Sequence, residues 1–151
     1  MLREELKDAL KTAMKAKETV AVSTLRLILA ALKDRDIAAR SKGNTDGIGE
    51  DDVLSMLQSM IKQRRDSIEA YEKGGRMELA QQEAQEIAII ERFLPAQMSE
   101  DEITGAVEAI VAGLEATTLK DMGKVMSALK ERHAGQMDFG KASGVVKAKL
   151  G

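Results

Sequence analysis

Cysteine is absent from this 151-residue chain. That excludes disulfides, thiolate nucleophiles and cysteine-ligated zinc. Tryptophan is absent too, and only two Phe and one Tyr occur, which weighs against base stacking on aromatic side chains as a main mode of nucleic-acid binding. A single histidine, His133, stands alone, so neither a metal site nor a cofactor is expected. No long apolar run exists: the richest, VAVSTLRLILAAL, is interrupted by Arg26 and is too short to span a bilayer. The opening MLREELKDALKTAMKAKE mixes both charge signs and lacks the apolar centre of a secretory signal. The expectation is a soluble cytoplasmic protein that does not enter membranes.

What is present is aliphatic and helical. Leu, Ile, Val, Ala and Met recur three and four residues apart, and no stretch of useful length alternates with a period of two. The pattern predicts helices over about 2–16, 19–39, 50–73, 76–93, 100–114, 120–133 and 138–150. SKGNTDGIGEDD reads as a loop, and Gly74-Gly75 as a left-handed helix stop. Ser99 followed by Glu102 is a capping box that starts the fifth helix. Met56, Met60, Met122 and Met126 read as core. The only proline, Pro95, sits between the two halves. The expected architecture is all-α: a four-helix bundle over 1–94, a linker over 95–98 acting as a proline hinge, and a three-helix module over 99–151.

Charge is nearly balanced at −2 but unevenly placed. Residues 96–118 hold five acidic residues and no basic one, a local charge of −5. Residues 119–151 hold seven basic residues against three acidic ones, a local charge of +4. The cations Lys120, Lys124, Lys130, Arg132, Lys141 and Lys147 form a basic end that suits a negatively charged partner. The alternative is that the acidic and basic faces pair with each other.

Three charges lie on apolar stripes. On a helical wheel Arg64 falls inside the arc of Val53, Leu57, Met60, Ile68 and Tyr71. Glu91 falls inside the arc of Met77, Ala80, Ala84, Ile87 and Ala88, and Asp36 extends the line of Val22, Leu29 and Leu32. A guanidinium among apolar side chains needs a carboxylate. Arg64 is therefore expected in a structural ion pair inside the bundle, with Glu91 or Asp36 as partner. Lys62, Arg65 and Lys73 stay available to an external partner such as phosphate.

Other motifs lack their context. Gly-Lys-Ala-Ser at 140–143 has no upstream glycine at phosphate-loop spacing and no preceding strand, and the Asp-Phe-Gly at 138–140 lacks a kinase setting. No G-x-S-x-G occurs. His133 ends the Met122, Met126, Leu129 line and reads as a helix-end residue. No catalytic residue is expected.

Three segments, MIKQRRDSIEAYEKGGR, EIAIIERFLPAQMSEDEI and DMGKVMSALKERHAGQMDFGKASGVVKAKL, in this order and spacing, resemble the GatB/YqeY family. The resemblance covers essentially the whole chain. It implies an all-helical protein similar to the tail of the B subunit of the tRNA-dependent amidotransferase. It also implies a tRNA or aminoacyl-tRNA partner and a link to carbon–nitrogen ligase chemistry with glutamine as amido-nitrogen donor. In such enzymes the glutaminase and phosphoryl-transfer parts lie outside the tail, so the chain itself is expected to bind rather than catalyse. Carried over, Lys62, Arg64 and Arg65 of KQRRDS and Lys124 of DMGKVM are the binding candidates, although the wheel places Arg64 inward. An accessory protein-interaction subunit is the alternative, and an autonomous amide-forming enzyme the third reading.

Overall fold

A computed structural model describes residues 1–151 and is all-helical: α1 Leu2–Ala16, α2 Thr19–Ser41, α3 Glu50–Lys73, α4 Met77–Glu91, α5 Glu100–Gly113, a short 3-10 turn Leu119–Asp121, α6 Met122–Arg132 and α7 Phe139–Leu150. The chain divides into two units, Met1–Leu94 and Pro95–Gly151.

The first unit is a bundle of α1–α4. Its core joins Leu2, Leu6, Leu25, Ile28 and Leu32 to Val53, Met56, Leu57 and Met60, and closes with Ile87, Ile89 and Ile90. On α2 the inward line is Ala21, Thr24, Leu25, Ile28 and Leu32, while Leu29 is only partly covered and Leu27 is half exposed. α1 ends without a glycine. Lys17 takes the left-handed conformation itself, and the Glu18 amide donates to the Ala13 carbonyl across the turn. Between α3 and α4 the left-handed residue is Gly75 (φ 72°), and Gly74 stays at negative φ.

Thr24 is fully buried, and its hydroxyl finds no hydrogen-bond partner. An orphaned buried hydroxyl costs about 1–3 kcal/mol. Thr24→Val keeps the branched shape and removes the polar atom. It is expected to raise the stability of the first unit by about 1 kcal/mol, read as a higher urea midpoint at unchanged slope.

The second unit packs α5, α6 and α7 around Ile103, Val107, Ile110, Val125, Leu129, Ala142, Val146 and Leu150. Met137 is fully buried there although it lies in the turn before α7; Met122 and Met126 are only partly buried. α5 begins with the Ser99–Glu102 capping box. Asp138 caps α7 by accepting from the amides of Gly140 (2.9 Å) and Lys141 (3.2 Å). Residues of the expected linker are tied into this unit: the Gln97 amide group donates to the Gly135 carbonyl at 2.6 Å, and the Met98 N–H to the Gln136 carbonyl at 2.7 Å.

Candidate nucleic-acid interface

The Gly74-Gly75 turn folds α4 back on α3 and aligns their charged positions. Arg64, on the apolar side of α3, donates from Nε to Glu86 Oε2 at 3.1 Å and from Nη1 to the Met60 carbonyl at 3.2 Å. Glu83 Oε2 stands 4.0 Å from the same Nε. The Arg64 and Glu86 side chains are 13% and 11% exposed. Burial, followed by the neighbouring Glu86 charge, pushes the Glu83 carboxyl above its ordinary range, and Arg64 opposes this.

This corrects the expected pairing. Glu91 pairs at 3.6 Å with Arg65, and both side chains are largely exposed, 46% and 63%. Asp36 pairs with Arg3. The physical reason lies in α4, whose inward face carries Ala80, Glu83, Glu86, Ile87 and Ile90 while Met77, Ala84 and Ala88 are exposed. That face is turned by about 100° from the arc of Met77, Ala84, Ala88 and Glu91. Isoleucine buries more apolar surface than alanine, so Ile87 and Ile90 set the rotation and bring Glu83 and Glu86 inward with them.

Asp36 belongs to a second charged clip. Arg3 reaches both of its oxygens, at 2.7 and 2.8 Å, and also the Ile48 carbonyl at 2.8 Å. The Ile48 N–H donates to Asp36 Oδ1 at 2.9 Å. α1, α2 and the loop before α3 are thus fastened at one point. The hydrogen bond from Arg3 is the main cause that holds the Asp36 carboxyl down to about 2, with the Ile48 amide assisting against burial. Gly47 (φ 89°) sits against this clip, and a Cβ there would lie 2.7 Å from Arg3 Nη2.

The cations of the second unit fall into two groups. Lys141 and Lys149 on α7 pair with Glu100 (3.4 Å) and Glu108 (2.7 Å) of α5, so part of the acidic and basic faces satisfy each other. Lys120, Lys124, Lys130, Arg132 and Lys147 are exposed and form no ion pair of this kind. Four of them lie on or just before α6. Lys124 and Lys130 stand six residues apart, about 9 Å along the axis. Asp121, beside Lys124, is occupied by the amides of Thr117 and Thr118, whose hydrogen bonds lower its pKa. Lys62 in the first unit is exposed. His133 ends α6: its N–H donates to Leu129 and its carbonyl accepts from Gln136. No three His, Cys, Asp or Glu side chains come together in a way that would hold a metal ion, and no helix is long and apolar enough to cross a membrane.

Comparison with known proteins gives a consistent family. The profile described as Yqey-like protein matches residues 3–150. "Altered inheritance of mitochondria protein 41, mitochondrial" of Lachancea thermotolerans is 33% identical over 152 residues, covering 96% of this chain and 76% of the relative. The protein of the same name from Eremothecium gossypii is 34% identical over 114 residues, 74% of this chain and 60% of that relative. That from Meyerozyma guilliermondii is 38% identical over 91 residues, 59% and 44%. The chain thus spans less than two thirds of the Eremothecium and Meyerozyma relatives. The names also correct one expectation, that of a cytoplasmic protein, because these relatives are named mitochondrial. The features behind that expectation report redox state and secretory export, and neither distinguishes the cytosol from an organelle matrix.

Proposed function

The chain belongs to the Yqey-like protein family, and from that premise we propose that it is a non-catalytic module that binds tRNA or the aminoacyl-tRNA machinery. The observation that carries this reading is the set of exposed cations on and around α6, Lys120, Lys124, Lys130 and Arg132, left over after Lys141 and Lys149 have paired with α5. Exposed cations that form no ion pair are free to displace counterions from a phosphate backbone; Asp121 beside Lys124 is itself engaged by the amides of Thr117 and Thr118. The resemblance to the amidotransferase tail supports the choice of tRNA among polyanions. In this reading the chain contributes grip and positioning, and amide transfer belongs to other subunits. Lys147 supplies a further contact within the second unit, and Lys62 on the first unit is a separate candidate. Lys141 and Arg65 contribute less, since Glu100 and Glu91 already share their charge.

The test is the salt dependence of binding to total tRNA, followed by fluorescence anisotropy. The logarithm of affinity is expected to fall linearly with the logarithm of salt, and Lys124→Ala and Arg132→Ala are each expected to reduce the slope by about 1. Lys141→Ala should change it by less. A slope indifferent to Lys124 and Arg132, or no binding at about 50 mM salt, overturns the reading.

A further inference from the structure

Residues 1–42 carry ten basic and six acidic residues, a local charge of +4 that equals that of the C-terminal stretch. The distribution of this charge on α2 is regular. Its outward face runs through Ser23, Leu27, Ala30, Asp34, Ile37 and Ser41, all exposed, at alternating spacings of four and three. That is the spacing of a coiled-coil a/d seam, with Leu27, Ala30 and Ile37 as its apolar members and Ser23, Asp34 and Ser41 as polar ones. Leu27 and Ile37 are each 50% exposed. Arg26, Lys33 and Arg40 stand seven residues apart, each directly before an a position, which makes them the g positions of the same heptads. All three are exposed, and none is in an ion pair, although Arg40 adds to the field that lowers Asp36.

We propose that the outward face of α2 is a docking surface for one amphipathic helix of a partner protein, with apolar residues at its own a and d positions and Glu or Asp at the positions flanking its seam. Charge complementarity selects that occupant. Three cations in register along one edge call for carboxylates at the same seven-residue interval. The seam disfavours a nucleic acid, because a phosphate backbone would use the cations, meet the Asp34 carboxylate and leave Leu27 and Ile37 without contact. The aromatic residues that would stack on bases, Tyr71, Phe93 and Phe139, lie outside α1 and α2. A second copy of the chain on the same face is disfavoured in both orientations. Parallel pairing sets Asp34 against Asp34, and antiparallel pairing sets the g-position cations against one another. Asp34 within the seam, and the small Ser23, Ala30 and Ser41, make the surface one of modest affinity that a partner can leave.

The proposal is independent of the tRNA reading, because the residues differ. The probe is a synthetic peptide of about three heptads, with Leu at a and d and Glu at e and g; its control carries Lys in place of Glu. Both are titrated into the full chain, with backbone amide shifts recorded by NMR. The Glu peptide is expected to bind with shifts confined to residues 23–41, and the Lys peptide to bind at least about tenfold more weakly. The triple change Arg26→Glu, Lys33→Glu, Arg40→Glu should transfer the preference to the Lys peptide. Leu27→Ser with Ile37→Ser, which leaves every charge in place, should weaken the Glu peptide by about tenfold or more. All five positions are exposed, so the fold should survive, and far-UV circular dichroism checks that. Equal binding of the two peptides, no binding at about 1 mM, shifts centred away from α2, or displacement of the peptide from α2 by tRNA overturns the proposal. Lys124→Ala should weaken tRNA and leave the peptide unaffected, so failure of one reading is distinguishable from failure of the other.

Discussion

Replacing Arg64 with alanine is expected to destabilise the first unit by about 3–5 kcal/mol. The magnitude follows from what remains behind. Glu86 is nearly buried and its partner at 3.1 Å is the Arg64 Nε. Truncation leaves that carboxylate without its counter-charge, next to Glu83, and also removes the donor to the Met60 carbonyl. Arg65→Ala is the natural contrast: its pair with Glu91 is longer and mostly in solvent, so a change within about 0–1 kcal/mol is expected. Arg64→Met combined with Glu86→Leu should recover much of the loss, because an apolar pair of similar volume needs no compensation. The sign with pH is fixed by Glu83. Its folded pKa is already raised, so its proton is held more tightly in the folded state, and stability falls as pH rises through that value. Without Arg64, whose charge lowers it, the Glu83 carboxyl holds its proton more tightly still, and the Arg64→Ala deficit should shrink as pH is lowered from 7 towards 5. Urea denaturation followed at Tyr71 measures this in the right unit, since it is the only tyrosine and lies on α3. A loss below about 1 kcal/mol would show the pair to be no better than a surface one.

Asp36→Ala is expected to cost about 2–3 kcal/mol. It removes the acceptor of two Arg3 bonds and of the Ile48 amide at once, and it unfastens α1 and the loop before α3 from α2. Asp36→Asn keeps an oxygen for Ile48 and loses the charge, so it should fall between the two. The carboxyl is held at about 2, against 3.8 unperturbed. A depressed carboxyl contributes stability that is fully present above its unfolded pKa and is lost as pH falls through the folded one. The wild-type chain should therefore lose about 1–2 kcal/mol from this source between pH 4 and pH 2, after allowance for solvent contact at the clip, and Asp36→Asn should lack that component. Parallel pH profiles for the two proteins would show that the clip contributes nothing through its charge.

Helix positions are legible in the sequence because they depend on local physics. A three-four apolar period, a capping box at Ser99 and a glycine pair at 74–75 act within one or two turns of chain, and the fold is all-helical as they require. The inward placement of Arg64 was legible for the same reason. Its partner was not. Rotation of α4 depends on which residues gain most from burial against α3, and Ile87 and Ile90 outweigh the alanines that complete a neater arc on paper. Asp36 and Arg3 are separated by 33 residues, so no spacing rule connects them. Met137 is core from within a turn, where periodicity has no meaning.

The candidate interface divides in the same way. Composition alone placed the basic end after residue 119. Only tertiary contact decided which of its cations are already taken, because Lys141 and Lys149 find Glu100 and Glu108 across a helix pair, 41 residues away in each case. Likewise the helix over 19–39 is written in its sequence, but which of its faces turns outward was decided by packing, which buried Ala21, Leu25, Ile28 and Leu32 and left Leu27 and Ile37 half exposed. What sequence by itself determined was the set of helices and their charges. What only the tertiary structure decided was the rotation of each helix about its own axis, since that depends on which of its side chains gain most from burial against neighbouring helices, a sum that the helix's own sequence does not contain.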